Sequence, residues 1–502
     1  MSPLDLTTPG GVTLALLPEI VLTVAALIAL LLNAWRHTTP ADSRLSGWTC
    51  LAGVIASGAA LAFLWGSGAR TEGPAHMVAL DAFRFASLGL ILLATGVTIL
   101  LSLGYLEREG LLAPEYYTLV LLAASGMMFL AGAEDLIVLF LGLEVMSISV
   151  YVLAGYDRRS VFSAEASLKY FLIGAFASAF LLYGIALVWG GTGATALAAI
   201  AERVRSGGLS PMAALGLGLL LIGMGFKVAS VPFHMWAPDV YDGSPTPVTA
   251  FMATGVKAAG FLALARILLE GFPAASGTWQ PLVAALAIAS MVLGNLVGLV
   301  QRSLKRMLAY SSIAHAGYLL AALWPGTRLA AGAVLVYLAA YAITSLAAFG
   351  ILTVLGRGGE RDVTLDSIAG LARRRPWLAF GLAVSMLSLL GFPGTFGFIG
   401  KWAILSALVE VKHVLLPVVL VVTTLVSAGY YLPVLMAAYM RDPLSPDAHA
   451  GAELPRPAAL AVAAAVLVVL AFGVLPAPAL GSAVRTAGTL IESPSLLTTG
   501  RP

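Results

Sequence analysis

Cysteine occurs once in the sequence, at Cys50, and that scarcity closes off several kinds of protein. A single thiol cannot build a disulfide framework, nor hold an iron–sulfur cluster or a multi-cysteine metal site, so any electron chemistry must lie elsewhere. Charge is also scarce. Only 11% of residues are Asp, Glu, Lys or Arg, 60% are hydrophobic, and the mean hydropathy is +0.95. No soluble chain of 502 residues would tolerate such a surface, so the composition specifies an integral membrane protein. The net charge of +3 is scattered and gives no case for nucleic acid. A Gly-rich nucleotide loop, a nucleophile triad and a metal-ligand spacing are all missing. The N-terminal MSPLDLTTPGG has an acidic residue and no Lys or Arg, unlike the start of a cleaved signal peptide, so the first span is expected to be retained.

What the chain has in quantity is apolar runs. Crossing a hydrocarbon core of ~30 Å takes about 20 residues, and about fourteen runs of that kind can be placed, the first near 14–33 and the last near 457–477. This predicts an all-α polytopic membrane protein. The 28 Lys and Arg split fifteen to nine between the two alternating sets of loops, with Lys169, Lys227, Lys257 and Lys401 left over inside predicted spans. By the positive-inside rule the richer set is cytoplasmic, and both termini are expected on the periplasmic side. Arg84 and Arg266 fall in the poorer loop set, and Glu19, six residues into the first run, reads as interfacial.

All four intramembrane cations are lysines. Arginine stays charged in nearly any environment, whereas a desolvated lysine can give up its proton, so the choice suits reversible protonation. Glu144, in DLIVLFLGLEVMSISVYVL (135–153), is an acid in the middle of the fifth run. A charge at a helix centre costs ~2.5–3.5 kcal/mol by insertion scales, which makes function the default reading of Glu144, Lys227, Lys257 and Lys401. A stabilising ion pair between Glu144 and a lysine is compatible with that reading. Lys169, near the start of its span after DRRSVFSAEAS, is as well explained by snorkelling. His315 lies with Ser311, Ser312 and Tyr318 on a polar strip in KRMLAYSSIAHAGYLL (305–320), as a relay or as a hydrogen-bonded core histidine. His234 carries the same ambiguity, and Lys305 with Arg306 reads as a flanking pair from which Lys305 can reach into the membrane.

Two spans share an anomaly. The seventh contains GFKVASVPFHMWAPD (225–239) and the twelfth LSLLGFPGTFGFIGKWAIL (387–405), each combining glycine, proline and lysine in an apolar segment. Pro232 and Pro393 remove a backbone donor and clash with the carbonyls of Val228 and Leu389. Helices broken at membrane depth survive only where protein or a wet cavity satisfies the freed groups. Breaks five spans apart match the inverted-repeat plan of transporters, with spans 4–8 and 9–13 as the units. The resulting division is 1–110 for helices 1–3, 111–270 for the first repeat, 271–440 for the second, and 441–502 for helix 14 and the tail.

The segments EASLKYFLIGAFASAFLLYG, GFKVASVPFHMWAPDVYDGSPTPVTAFMATGVKAAG, GNLVGLVQRSLKRMLAYSSIAHAGYLL and GFPGTFGFIGKWAIL together resemble the antiporter-like membrane subunits of proton-pumping NADH:quinone oxidoreductase, respiratory complex I. The resemblance covers nearly the whole chain and is weakest over roughly 1–80 and 440–502. It implies fourteen helices, two inverted five-helix repeats and broken helices 7 and 12. It also implies that Glu144, Lys227, Lys257 and Lys401 carry the proton, with Lys169, Lys305 and His315 at relay positions; His234 at the break reads, from its own place in the sequence, as a possible relay or as a cap.

On this reading the chain is a subunit of a translocase in a bacterial cell membrane. It has no cofactor or metal of its own; flavin, iron–sulfur clusters, NADH and quinone sit on partner subunits. Its partners are a neighbouring antiporter-like subunit, small membrane-arm subunits and the lipid bilayer. In the expected scheme Glu144 holds Lys227 protonated, separation of the pair releases the proton, and it passes through Lys257 towards Lys401. The principal rival is a membrane subunit of a multi-subunit sodium/proton antiporter. A purely structural scaffold is disfavoured by the cost of keeping several buried charges.

Overall fold

The computed structural model describes residues 4–6, 8–35, 39–69, 77–111, 115–356, 363–443 and 455–491. Parts of the predicted connector at 356–376 and the tail beyond residue 491 lie outside the described residues. Among the described residues twenty-two α-helices follow one another: α1 Pro9–Ala15, α2 Leu17–Trp35, α3 Pro40–Gly66, α4 Ala82–Ser102, α5 Tyr105–Arg108, α6 Glu115–Gly132, α7 Leu136–Ala154 and α8 Val161–Thr192. Then come α9 Leu197–Gly207, α10 Pro211–Lys227, α11 Ala237–Gly243, α12 Thr246–Phe251, α13 Lys257–Arg266, α14 Ser276–Gly298 and α15 Leu304–Leu323. The last are α16 Arg328–Leu355, α17 Leu371–Arg374, α18 Pro376–Leu390, α19 Phe396–Glu410, α20 Leu415–Met440, α21 Arg456–Val474 and α22 Ala477–Ile491.

The all-helical class read from the sequence is the observed one. Among the described residues eleven helices are long and apolar enough to cross a membrane. The other three expected spans are of a different kind. The seventh is α10 followed by α11, and the twelfth is α18 followed by α19; in both, the chain leaves the helix around the proline-containing segment. The tenth coincides with α15, which holds Lys305, Arg306, Ser311, Ser312 and His315 and is accordingly less apolar.

The helix starts follow from local chemistry. Asp81, Asp135, Ser160, Ser210, Ser303 and Thr327 each accept a backbone N–H of the first turn, satisfying a donor that the helix itself cannot. Thr39 and Asp42 close a reciprocal capping box on α3.

Backbone hydrogen bonds between connectors separate two faces. On the upper face Ala79 N–H donates to Gly132 O, Glu134 N–H to Met77 O and Leu136 N–H to Thr195 O. On the lower face Leu304 N–H donates to Val363 O, Gly370 N–H to Ala437 O, and Ser303 Oγ to Asp242. The segment Thr246–Gly271, which runs between the faces through α12 and α13, is the most enclosed apolar helix, its whole apolar window being buried. Two single-turn π segments, Met252–Val256 and Ile267–Gly271, flank α13. Such widened turns are frequent at functional sites.

Close helix contacts depend on small residues. A Cβ at Gly142 on α7 would stand 2.6 Å from the backbone nitrogen of Leu130 on α6. Because backbone cannot rotate out of the way, Gly142→Leu should force these helices apart at a cost of about 1–3 kcal/mol. The expected result is a lower thermal unfolding midpoint for the purified protein; an unchanged midpoint would contradict this packing.

Candidate functional site

Four of the predicted ionisable residues come together on one buried path. Lys227 ends α10, where the C-terminal carbonyls favour a cation, and its ammonium donates to Ser147 Oγ on α7 at 2.8 Å. The rings of Tyr151 and Tyr170 flank it, with centroids 5.6 and 5.5 Å from Nζ. Glu144, three residues before Ser147 and so about one turn away on the same face of α7, accepts a short hydrogen bond from Ser178 Oγ on α8. Glu144 and Lys227 are therefore neighbours through two serines, and no direct ion pair joins them among the described residues. A narrow cleft beside Lys227 is lined by Leu143, Tyr151, Ser178 and Phe226.

Lys257 is the first residue of α13, directly after the first π segment, and is buried. Its ammonium donates to Ser312 O on α15 at 2.5 Å and to the hydroxyl of the same residue, with the Tyr341 ring 5.5 Å away. Lys227 lies beside α13 too: a Cβ at Gly260, three residues beyond Lys257, would be 3.5 Å from Lys227 Cγ.

From Lys257 the polar path continues along α15. His315 is held between two tyrosines: the Tyr337 hydroxyl is 2.7 Å from Nδ1 and the Tyr431 hydroxyl 3.3 Å from Nε2. Tyr431 also shares a short hydrogen bond with Ser311. Asn295 donates to Tyr318 at 3.1 Å and accepts from Tyr430 at 2.8 Å, which fixes the Tyr318 ring. Lys401 lies over that ring, its Nζ 4.7 Å from the centroid. The ammonium donates to Thr424 Oγ1 at 3.2 Å and to Leu390 O at 2.9 Å.

The breaks make these contacts possible. α18 ends at Leu390 because Gly391 takes a left-handed conformation, φ +84°, which frees the Leu390 carbonyl to accept from Lys401. The missing side chain at Gly391 matters as well, since a Cβ there would be 2.8 Å from Lys401 Cδ. At the first break Ser290 Oγ accepts Val231 N–H and the Trp236 indole donates to Phe226 O, so the backbone groups released there are satisfied by protein.

The remaining candidates separate. Lys169 is partly exposed and bridges Glu165 and Asp239 at 2.6 and 2.8 Å, and Arg306 also binds Asp239, at 2.7 Å. This is an ion cluster by the lower face, and the snorkelling alternative describes Lys169 well. Lys305 is buried, with its ammonium donating to Ser244 O at 2.7 Å. His234 is half-buried in the first break, and its Nδ1 is buried without a hydrogen-bond partner. It touches none of the three axis lysines through any hydrogen bond among the described residues.

Sequence reading missed Ser147, Ser178, Ser290, Asn295, Tyr337, Tyr341, Tyr430 and Tyr431. It also misplaced three charges. Arg84, Arg266 and Glu19 are fully buried, where loop and interfacial positions were expected. The ends of α2, α4 and α13 converge under the upper-face connectors, which takes all three side chains out of water.

Buried lysines in a row between two broken helices define a class of proton-handling polytopic membrane proteins. Residues 133–427 match the family described as NADH:quinone oxidoreductase/Mrp antiporter, TM, and the chain belongs to that family. It is 44% identical to NADH-quinone oxidoreductase subunit N of Gemmatimonas aurantiaca, over 97% of this chain and 95% of that one. It is 43% identical to subunit N of Trichlorobacter lovleyi, over 85% and 87% of the two chains. Among solved structures it resembles a chain of respiratory complex I from Thermus thermophilus with bound Aureothin, with TM-score 0.78, 38% identity and coverage of 92% and 98%. A chain of the Mrp complex from a Dietzia species shares the fold, with TM-score 0.84, 22% identity and coverage of 97% and 99%.

Asn295 joins α14 to α15 and α20 through its two tyrosine bonds, so Asn295→Leu leaves buried hydroxyls unpaired at a cost of about 1–3 kcal/mol. Thermal unfolding of the purified protein should show that loss, and Tyr430→Phe should show a smaller one. Equal stability of Asn295→Leu and the parent would exclude this network as a structural element.

Proposed function

We propose that this chain is a proton-translocating membrane subunit of an NADH:quinone oxidoreductase, of the subunit N kind. The observation that carries the reading is the row of buried ammonium groups of Lys227, Lys257 and Lys401, each on a hydroxyl, in a chain 44% identical to a subunit of that name. Electron transfer from NADH to quinone takes place on partner subunits, which hold the flavin and iron–sulfur clusters, and it biases the membrane arm between two arrangements. The lower face, which carries the richer set of basic loops, is cytoplasmic, and the upper face is periplasmic.

In this mechanism Glu144 and Lys227 are the gate. When the Ser147 and Ser178 hydroxyls turn aside and the cleft opens, carboxylate and ammonium approach each other and Lys227 is held in its charged form. With the serine hydroxyls placed as in this structure, the pair is apart and the proton moves to Lys257, three residues before Gly260 on the helix that packs beside Lys227. Ser312, the tyrosines around His315 and Tyr318 then offer hydroxyl and ring-nitrogen steps towards Lys401. Neighbouring antiporter-like and small membrane subunits flank the chain in the assembled arm.

Lys227→Ala or Glu144→Ala in the assembled complex should reduce proton pumping on the order of tenfold or more. Pumping at the parental rate with either substitution would sink the proposed roles. The sodium/proton antiporter alternative is tested separately, because the purified assembly must contain flavin and iron–sulfur centres if the oxidoreductase reading holds. If His315 relays protons, Tyr337→Phe, which removes the 2.7 Å contact, should slow pumping more than Tyr431→Phe, which removes the 3.3 Å one. The reverse order would remove His315 from the path.

A further inference from the structure

A second group of ionisable side chains lies away from the lysine row, under the upper face. Arg266, the last residue of α13, pairs through Nη2 with both Asp81 oxygens at 2.9 Å, through Nη1 with Glu270 at 3.1 Å, and donates from Nε to Ala131 O at 3.0 Å. Arg84, at the start of α4, pairs with Glu19 of α2 at 2.6 Å and also donates to Ala79 O and Ala15 O. Both guanidiniums are fully buried. Glu134, in the tight turn between α6 and α7, faces the two arginines and Asp81 and forms no ion pair with either arginine among the described residues.

The charge count does not balance. Among the described residues Glu19, Asp81, Glu134 and Glu270 are four carboxyls, and only Arg84 and Arg266 oppose them. Leaving all four ionised would strand an excess of two negative charges in a largely apolar setting, a cost that proteins relieve by binding protons. The hydrogen bonding is also incomplete, since Glu19 Oε2 and Arg84 Nε are buried without partners among the described residues. Among the described residues, other charged groups on elements packed around the cluster do not supply the missing cations; Arg328, which starts α16, is exposed and donates to Val484 O. On α9, Arg203 and Arg205 are exposed, with Arg205 bound to Glu202; on α22, Arg485 is exposed; and Asp135 is taken up by Thr195 and Ile137 N–H.

We propose that this cluster is a protonatable site at the upper face, in which Glu134 and Glu270 retain a proton beside Arg266 and exchange it with the adjacent aqueous compartment through Asp81. Asp81 offers a path to water beside Arg266, its side chain being 15% exposed where Arg266 is fully enclosed, and Glu134 is itself partly exposed. Burial pushes the Glu134 carboxyl up to about 7; Arg266 and Arg84 oppose that rise and Asp81 adds to it. Placed nine residues along one helix from Lys257, about 13 Å at the α-helical rise, the cluster gives this face a carboxyl site distinct from the lysine row. It goes beyond the proposed pumping role and does not depend on it.

The test is infrared difference spectroscopy of the assembled complex, following the carbonyl stretch of protonated carboxyls as pH is raised from about 6 to about 9. The parent should lose part of that band over this range, and Glu134→Gln or Glu270→Gln should each diminish the pH-dependent part. Glu134→Asp, which keeps an acid but withdraws it by one methylene, should shift the midpoint and serves if a glutamine variant does not assemble. Difference spectra that match the parent in both glutamine variants, or an unmoved midpoint in Glu134→Asp, would overturn the proposal. The readout is protonation and not pumping, so the site can fail this test while the lysine row still pumps, and the converse holds equally.

Discussion

An ammonium group inside a bilayer needs an acceptor within hydrogen-bond reach, and much of this structure follows from meeting that need three times. Lys227 finds Ser147, Lys257 finds Ser312, and Lys401 finds Thr424 and the Leu390 carbonyl. Each acceptor comes from a different helix, or from the far side of a break, so each lysine ties together elements that hydrophobic packing alone would leave free to slide. Aromatic faces complete the shells: Tyr151 and Tyr170 at Lys227, Tyr341 at Lys257, Tyr318 at Lys401. None of these acceptors is a carboxylate. A lysine held by hydroxyls, carbonyls and rings keeps its hydrogen bonds without the fixed opposite charge that would trap its proton.

The two breaks serve that need differently. In the first, the lysine precedes the break and uses the negative end of α10. In the second, the lysine follows the break, on α19, and reaches back to the carbonyl that Gly391 has released from α18. The broken backbone is thus an acceptor in one case and a dipole terminus in the other. Protein groups, Ser290 and Trp236 among them, satisfy what the first break leaves over. An interrupted helix at this depth is tolerable because the surrounding helices supply these partners.

How much of this was legible in the sequence depended on contrast. A lysine or glutamate in a run of Leu, Ala and Gly is an outlier on a hydropathy scan, and so is a Gly-Phe-Pro-Gly interruption; the axis lysines and both breaks could be read directly. Serine and tyrosine carry no such contrast, because both are ordinary in membrane helices. Their importance lies in partners distant along the chain: Ser147 is 80 residues from Lys227, Ser312 is 55 from Lys257, and Tyr431 is 120 from Ser311. The errors at Glu19, Arg84 and Arg266 have a related origin. Each sits near the end of its span, where composition reads as interface. Only the convergence of three helix ends beneath the 77–81 and 132–136 connectors encloses them.

If the lysine row carries protons as proposed, its two halves would do so under different conditions. Glu144 and Lys227 are each occupied by their own serine, so a step between them requires side chains to move. Between Lys257 and Lys401 the space is filled by Ser312, Tyr341, His315, Tyr337, Tyr431 and Tyr318. Their hydroxyl and ring contacts already form much of a ladder. A proton on that side needs hydroxyl rotations and ring-nitrogen exchange, which occur without repacking of helices. On that proposal control would fall at the Glu144 end, where α7, α8 and α10 meet. A small displacement of α7 against its neighbours would change both serine bonds at once. Any partner that pushes on α7 would act on the gate while leaving the His315 ladder in place.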